Sequence, residues 1–291
     1  MSCDTELKFL VASWSQQQLE MKSKLVVTNA ERWQDERYCE FLVMVPPSNP
    51  QHVQFVCDIL PFSLRFRKLT YVGGFDLSFC KKDPSVACCT IVVCDISQQL
   101  KVVYEDSQQV KLTTPYIPGY LAFREIEPCL NLYTKLVSKH PEFRPQVFLF
   151  DGNGILHPRG LGLASHFGVY TDTCTIGVAK NLYQMNNILR DDNHLANINS
   201  LKAAGEHFFI KNSGASGEIL GAALKTTQEA KRPIYVSVGH RIGLECALWT
   251  VMQCVQRFRI PEPTRQADIR SRKAVRKLDD TDIPVNLNNT T

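Results

Sequence analysis

Apolar residues near the start of the chain recur at the spacing of an α-helix. They fall close to one stripe at a period of about 3.6 residues, while Gln and Lys fill the opposite side. The stripe consists of Leu7, Leu10, Val11, Trp14, Met21 and Leu25. This pattern predicts an amphipathic helix over about residues 4–25. The next apolar pieces, within about residues 38–67, are interrupted by four prolines and predict an inserted loop.

From Tyr71 onward the pattern changes to β-rich runs with short connections. Three such runs, Tyr71–Phe79, Ala87–Ile96 and Lys101–Val110, follow one another closely. Connections that short join antiparallel strands, because a parallel pair needs a crossover. A helical stretch with one apolar face, at about residues 126–137, then leads to the apolar run Val147–Phe150, which is typical of a buried parallel strand.

The later segments complete an α/β pattern. Further strands are predicted at Thr175–Val178, Ile219–Leu224 and Ile234–Val238, and a further helix over about residues 244–255. Three antiparallel strands, a helix and a returning buried strand predict an α/β fold, in which helices flank a mixed sheet of antiparallel and then parallel strands. We expect residues 1–270 to form one domain and residues 271–291 to form a polar, flexible tail.

The composition narrows the class of protein. Of the 291 residues, 44% are hydrophobic, which is enough to bury a large core and excludes a disordered or fibrous chain. The formal net charge of +4 permits binding to a polyanion without requiring it. The 11 cysteines lack zinc-site spacing and predict free thiols in a reducing compartment.

The sequence also predicts where the protein is found. The segment MSCDTELKFL has an acidic start and no apolar stretch, so we expect no secretory signal. No apolar run approaches the roughly 20 residues of a membrane span, so we expect no membrane partner. We therefore expect a cytoplasmic or nuclear protein, the nucleolus included, and the basic segment SRKAVRKL would suit nuclear entry or contact with RNA.

Three carboxylates stand where secondary-structure elements could bring them together. Asp76 interrupts an apolar strand, where an unpaired buried carboxylate is costly. Asp151 follows the buried run ending at Phe150, a position where sites form in α/β sheets. Glu125 stands at the expected start of the helix between them, because Pro128 suits a first helical turn. If the first and fourth strands are neighbours, these acids meet and suit a Mg²⁺ ion, although a single acid is more often a cap or salt-bridge partner.

Other segments carry chemistry less specifically. A loop stiffened by Pro115 and Pro118 presents Tyr116, which could stack on a base or be only a surface tyrosine. Lys180 ends a strand, where it could meet a developing negative charge or be solvated. His240 could bind a phosphate, act in acid–base chemistry or cap the next helix.

Six segments, in order across residues 71–272, together resemble one family. They are GGFDLSF, PYIPGYLAFRE, DGNGILHPRGLGLASHFGV, IGVAK, YVSVGHRIGLECA and RFRIPEPTRQADIRSR. On these motifs the chain resembles endonuclease V, the inosine-directed nucleases with an RNase H-like fold. The last segment resembles the animal branch, whose members act chiefly on RNA that contains inosine.

The resemblance implies a catalytic group and a cofactor. The residues it assigns to catalysis are Asp76, Glu125, Asp151, Lys180, His240 and Asp268. Among them Asp76, Glu125 and Asp151 would bind the metal, and Lys180 would lie near the scissile phosphate. The implied cofactor is Mg²⁺, for which Mn²⁺ can substitute, and the number of ions stays open between one and two.

The resemblance also implies a surface that reads the substrate. Tyr116, Ile117 and Pro118 would form a wedge that parts the strand beside inosine. Backbone groups would read the base, around the following residues: Gly119, Leu121, Gly152, His157, Gly162 and Leu163. Hypoxanthine carries a carbonyl and a ring N–H where adenine has an amino group. Such a pocket would therefore leave adenine with unpaired polar atoms, at a cost of about 1–3 kcal/mol each.

The implied reaction is metal-dependent cleavage at the second phosphodiester bond 3′ to inosine, preferentially in RNA, leaving 3′-hydroxyl and 5′-phosphate ends. Two alternatives stay open: a repair endonuclease directed at deoxyinosine in DNA, and a non-catalytic protein that binds inosine RNA. The expected partner is inosine-containing RNA, with single strands and deoxyinosine DNA included, and we expect a monomer. The segments at about 38–67 and 212–216 depart from the family pattern.

Overall fold

A single mixed sheet lies at the centre of the computed structural model, which describes residues 3–34, 69–185, 188–212 and 217–280. The strands are β1 (Tyr71–Phe79), β2 (Val86–Asp95), β3 (Lys101–Lys111), β4 (Val147–Phe150), β5 (Thr175–Ala179), β6 (His207–Lys211), β7 (Ile219–Leu224) and β8 (Ile234–His240). The helices are α1 (Cys3–Lys22), α2 (Leu121–Lys139), α3 (Leu163–Thr171), α4 (Asp192–Ser200), α5 (Leu244–Gln253) and α6 (Glu262–Asp280).

The strand order confirms the predicted fold class. The eight strands lie in the order β3-β2-β1-β4-β5-β8-β7-β6. β1, β4 and β5 are mutually parallel, whereas β2 and β3 are antiparallel to their neighbours, as the short connections predicted. Beyond β5 the sheet returns to antiparallel pairing through β8, β7 and β6. The carboxyl ends of β1, β4 and β5 therefore meet at one edge of the sheet.

Both faces of the sheet bury apolar side chains beneath helices. Successive residues of β4 point to opposite faces. Phe148 and Phe150 pack with side chains of α2 and α3, whereas Val147 and Leu149 belong to the cluster beneath α5. None of the described helices is both long enough and apolar enough to span a membrane.

Two helix boundaries differ from the sequence prediction. α1 ends at Lys22, a few residues before the predicted end. α2 begins at Leu121, so Glu125 lies one turn inside the helix and Pro128 lies in its interior instead of its first turn. Tyr120, which precedes the helix, makes no side-chain capping bond. The observed start of α2 therefore carries no capping signal in the sequence. Pro128, which suits a first helical turn, instead suggested a start that is too late.

The polar tail predicted from residue 271 is partly a helix. α6 continues to Asp280, and both Ser271 and Val275 are buried on its inner face. Val275 packs with Cys80, Val86 and Cys88. This narrow buried stripe is easily missed because the rest of the helix is highly charged. The remaining tail residues 281–291 and the predicted insertion at about 38–67 lie outside the described residues.

Candidate active site

Asp76 and Asp151 stand side by side on neighbouring strands. β1 and β4 pair in parallel, with Phe75 opposite Phe150, and each acid is the next residue along its strand. This confirms the prediction that the first and fourth strands bring the two acids together. Asp76 is buried, and burial together with the charges of Asp151 and Asp268 raises its pKa to about 6, against the lowering effect of a Ser271 hydrogen bond.

Asp268 on α6 completes a group of three carboxylates. One oxygen each from Asp76, Asp151 and Asp268 lie within 4.8 Å of one another. One turn further along α6, the Ser271 hydroxyl donates to Oδ2 of Asp76, and the Ser78 hydroxyl donates to the same oxygen at 3.2 Å. Helix α6 therefore both supplies an acid and orients the acid of β1.

Lys180 lies against this group at the end of β5, as predicted. Its Nζ forms an ion pair with Oδ2 of Asp151 and lies 3.6 Å from Oδ1 of Asp268. Burial alone would lower the pKa of Lys180, but the charges of Asp151 and Asp268 outweigh it and raise that pKa. The lysine is therefore held as a cation beside the carboxylates.

Glu125 lies beside the group of three but outside it. It is buried on α2, and burial together with the charges of Asp76 and Asp151 raises its pKa to about 8. The group contains Asp76 and Asp151 of the predicted metal set, together with Asp268, which the family resemblance placed among the catalytic residues. How close Asp268 comes depends on how α6 crosses the sheet.

The group fits a hard divalent cation. All its donors are carboxylate oxygens, which Mg²⁺ and similar ions prefer. Lys180 and Arg272, whose Nη2 lies 2.9 Å from Oδ1 of Asp268, bring positive charge to a site with four nearby acids. Burial, and after it the charges of neighbouring acids, raises the pKa values of Asp76 and Glu125, and a bound cation would favour the charged form of both carboxylates.

His240 lies at the opposite end of the sheet. β8 runs antiparallel to β5, so His240 pairs with Thr175 at the start of β5, about 16 Å from Lys180 at about 3.3 Å per residue. The Val26 N–H donates to Nδ1 of His240 at 3.2 Å, and Nε2 lies 3.5 Å from Oδ1 of Asp172. The structure therefore does not bring His240 to the carboxylate group as predicted, because the residues of a strand do not reveal its direction.

The two loops predicted to read the base are joined at the carbonyl oxygen of Gly119. Arg159 of the second loop donates to this oxygen through Nη2, and His157 also hydrogen-bonds to the Gly119 backbone. Gly119 itself has a φ of 80°, which favours glycine. The sequence prediction that these segments form one surface is consistent with this contact.

The segment after Asp151 returns tightly to the sheet. The N–H of Gly154 donates to the hydroxyl of Ser237 at 2.9 Å, and the N–H of Gly162 donates to the carbonyl of Gly154 at 2.9 Å. A Cβ on Gly154 would collide with the carbonyl oxygen of Val238. Close backbone approach therefore fixes the loop that carries Gly152, Gly162 and the start of α3 at Leu163.

His157 is a neutral, buried histidine at the edge of a large cavity. Burial, with the nearby charge of Arg159, lowers its pKa to about 4. The Arg159 N–H donates to Nδ1 at 3.3 Å, which leaves the proton on the other ring nitrogen. The cavity measures about 850 Å³, and Tyr183, Ile155 and Phe209 also line it.

The predicted wedge is the exposed tip of its loop. Tyr116 is 67% exposed and Pro118 is also exposed, while Ile117 is half-buried. The Tyr120 N–H donates to the Ile117 carbonyl at 2.9 Å, which closes the turn leading into α2. An aromatic side chain is therefore presented to solvent from a fixed turn.

Sequence reasoning missed Gln18, which anchors this surface from α1. Its fully buried amide donates to the Gly119 carbonyl at 3.2 Å and to the Leu161 carbonyl at 3.4 Å, and its oxygen accepts from Arg159 Nε. The signal was available, because Gln18 is a polar residue four positions after Trp14 on the apolar stripe.

Comparison with known protein families identifies the fold and the motifs together. The model of the Endonuclease V family matches residues 61–269. Mouse Endonuclease V is 42% identical over 264 residues, covering 91% of this chain and 69% of that protein. Human Endonuclease V is 41% identical over 264 residues, covering 91% of this chain and 83% of that protein.

Solved structures agree with the sequence relatives. The catalytic domain of human Endonuclease V superposes with a TM-score of 0.79 at 40% identity, covering 93% of this chain and 98% of that one. Ciona intestinalis Endonuclease V, in complex with a 23mer DNA containing an inosine followed by a ribo-adenosine, superposes with a TM-score of 0.75 at 33% identity, covering 96% and 100%. With the family motifs on this shared fold, the chain belongs to the Endonuclease V family and is an endonuclease.

Proposed function

We propose that the protein hydrolyses the second phosphodiester bond 3′ to inosine in RNA, leaving 3′-hydroxyl and 5′-phosphate ends. The observation that carries the proposal is the convergence of Asp76, Asp151 and Asp268 within 4.8 Å, with Lys180 against them. Oxygen ligands and one cation at the carboxyl ends of three parallel strands suit phosphoryl transfer. The contact between His157 and the Gly119 backbone supports the proposal that these adjoining loops read the base.

The proposed cofactor is Mg²⁺, with Mn²⁺ as a substitute. Asp76, Asp151 and Asp268 would hold it, with Glu125 next to them. When bound, the cation supplies positive charge to the phosphate oxygens and activates water for attack. Lys180 holds a further positive charge beside the same acids, where it would stabilise negative charge on the phosphate.

Base selection in this proposal rests on neutral polar groups. His157 is uncharged at neutral pH because burial lowers its pKa to about 4. A neutral imidazole and backbone amides can pair with the carbonyl and ring N–H of hypoxanthine. Adenine would leave some of them unpaired, at a cost of about 1–3 kcal/mol per buried group.

Cleavage of an RNA oligonucleotide with a single inosine, in the presence of Mg²⁺, tests the proposal. We expect one cut, mapped to the second bond 3′ to inosine, and no cut when adenosine replaces inosine. Asp76→Ala should abolish cleavage, whereas Asp83→Asn, in an exposed turn, should not. Uncleaved RNA, or equal cleavage of the adenosine control, would contradict the proposal.

RNA is favoured over DNA by one comparison. The Ciona intestinalis complex contains a ribo-adenosine after its inosine, and a 2′-hydroxyl is what distinguishes RNA at a site. The same complex is otherwise DNA, so a deoxyinosine-directed repair endonuclease is the second candidate. Initial rates on matched RNA, DNA and DNA with one ribose 3′ to deoxyinosine separate the two. Faster cleavage of all-DNA would favour repair.

A further inference from the structure

A second cavity adjoins the candidate active site, on the side of α4. Its volume is about 340 Å³, at the lower end of the roughly 300–1,000 Å³ of small-ligand pockets. Lys180, which pairs with Asp151 at the active site, also lines this cavity. Gln184 lines both this cavity and the larger one that contains His157. The two cavities therefore flank the same short segment after β5.

The wall of this second cavity is cationic. Arg190, Lys231 and Arg232 lie along it with Lys180, and no Asp or Glu is among the described residues of the wall. Arg190, Lys231 and Arg232 are exposed, and in the described parts of the chain no acid lies in ion-pair contact with any of the three. Their charges are therefore available to an anion from solvent.

The floor of the cavity has a different character. Leu182, Leu195, Ile198 and Pro233 give it an apolar surface, and Tyr235 adds an aromatic ring. A ribose or base can pack on such a surface while its phosphate contacts the cationic rim. The combination suits a nucleotide better than it suits an inorganic anion, which would leave the apolar floor uncovered.

We infer that this cavity binds one nucleotide of the substrate strand, other than the inosine and the nucleotides joined by the scissile bond. The phosphate of that nucleotide would contact Arg190, Lys231 and Arg232. The inference rests on the proposed function, because the strand is placed by the acids and by the base-reading loops. A strand that has its inosine beside His157 and its scissile phosphate at the acids passes Lys180. Lys180 also lines this cavity, so the cavity offers the strand a cationic surface directly beside the acids.

The triple variant Arg190→Gln/Lys231→Gln/Arg232→Gln tests the inference through binding in metal-free buffer. Single-stranded inosine RNA should bind the variant more weakly. The slope of log K against log salt should become shallower by about 0.7, the contribution of one phosphate contact on a single strand. The RNA is also shortened, first from one end and then from the other. Shortening from at least one end should weaken binding to wild type, whereas binding to the variant should not change with that shortening.

A matched control removes three positive charges elsewhere. Lys101→Gln/Lys111→Gln/Lys139→Gln alters exposed residues of β3 and α2 and should retain the wild-type slope. The inference is overturned if both triple variants give the same salt slope. It is also overturned if the Arg190→Gln/Lys231→Gln/Arg232→Gln variant retains the full dependence on RNA length. Competition by free AMP as strong as that by an inosine-free RNA would also overturn it.

Failure of the proposed function is distinguishable from failure of this inference. Binding and its salt slope are measured without metal, so they do not depend on catalysis. Wild type that cleaves no inosine substrate contradicts the proposed function. If wild type cleaves normally and the Arg190→Gln/Lys231→Gln/Arg232→Gln variant binds RNA as wild type does, only the assignment of the second cavity is contradicted.

Discussion

The amide of Gln18 on α1 donates to the carbonyl oxygen of Gly119 at 3.2 Å, across 101 residues of sequence. The same side chain accepts from Arg159, so one buried residue joins the N-terminal helix to two loops near the candidate active site. The family match begins at residue 61, after this helix. α1 therefore lies before the segment that the family model matches and holds two loops of that segment in position.

Gln18→Leu should lower both stability and base selectivity. It removes the hydrogen bonds to the Gly119 and Leu161 carbonyls and to the Arg159 guanidinium, at a cost of about 1–3 kcal/mol. The unfolding temperature should fall by about 2–4 °C for each kcal/mol of unfolding free energy that is lost. Relative cleavage of inosine over adenosine should fall with it. Gln17→Leu, at the neighbouring exposed position, is the matched control and should leave selectivity unchanged. Equal selectivity in both variants would argue against a positioning role.

Asp268→Asn should abolish most activity, because Asp268 is the third member of the carboxylate group. Loss of a group that only supports a metal ligand typically costs about 10- to 100-fold, and loss of a ligand itself should cost at least as much. Ser271→Ala should cost less, since it removes only a hydrogen bond to Asp76. Cleavage rates of the two variants on inosine RNA at saturating Mg²⁺ show whether Asp268→Asn costs more activity than Ser271→Ala. An Asp268→Asn rate within about threefold of wild type would exclude Asp268 from the site.

Stabilisation by Mg²⁺ should increase with pH. Without metal, the pKa of Asp76 is raised to about 6 and that of Glu125 to about 8, so the folded state binds protons that the unfolded state releases. Their contribution to stability is full below about pH 4 and is lost as pH rises towards about 8. A bound cation replaces these protons, and its benefit is greatest where they are absent.

Thermal unfolding with and without Mg²⁺, compared at about pH 5.5 and about pH 8, measures this dependence. Glu125→Gln should flatten the upper part of the pH slope in metal-free buffer. Exposed Glu142→Gln is the control and should leave the slope in place. A Mg²⁺ shift of the same size at both pH values would contradict the expectation.

His240→Asn should retain catalysis while lowering stability. Asparagine can still accept from the Val26 N–H, but it loses the contact between Nε2 and Asp172. We expect kcat and KM within about twofold of wild type and a lower unfolding temperature. A large fall in kcat at unchanged stability would place His240 in the chemistry despite its distance from Lys180.

Tyr116→Ala should discriminate between paired and unpaired substrates. The side chain is 67% exposed, so its removal should leave the unfolding temperature unchanged. Stacking on a base is worth about 1–3 kcal/mol, so cleavage of inosine within a duplex should fall by about 5- to 100-fold. Cleavage in a single strand should fall less. Tyr170→Ala, another exposed tyrosine, is the control.

Local patterns in the sequence predicted the parts of the fold that dominate the site. The runs from Tyr71 and Val147 have the length and apolar content of strands, so β1, β4 and their acids could be placed from sequence. Lys180 followed in the same way from the strand before it. Strand adjacency was a condition of that prediction, and the register of Phe75 with Phe150 satisfies it.

Tertiary geometry decided what the sequence could not. The direction of β8 moves His240 away, and the path of α6 brings Asp268 in ahead of Glu125. α3 was missed because residues 164–168 are all buried and show no amphipathic period. α4 was missed although Asp191 caps it by accepting from the His194 N–H at 2.8 Å, a signal that was present in the sequence.

The group of three carboxylates draws on distant parts of the chain: Asp76 on the first strand, Asp151 in the middle of the chain and Asp268 on the last described helix. A nascent chain therefore carries an incomplete nuclease until α6 has left the ribosome and packed across β1. Premature termination before α6 would likewise yield a protein with all eight described strands but with two of the three acids.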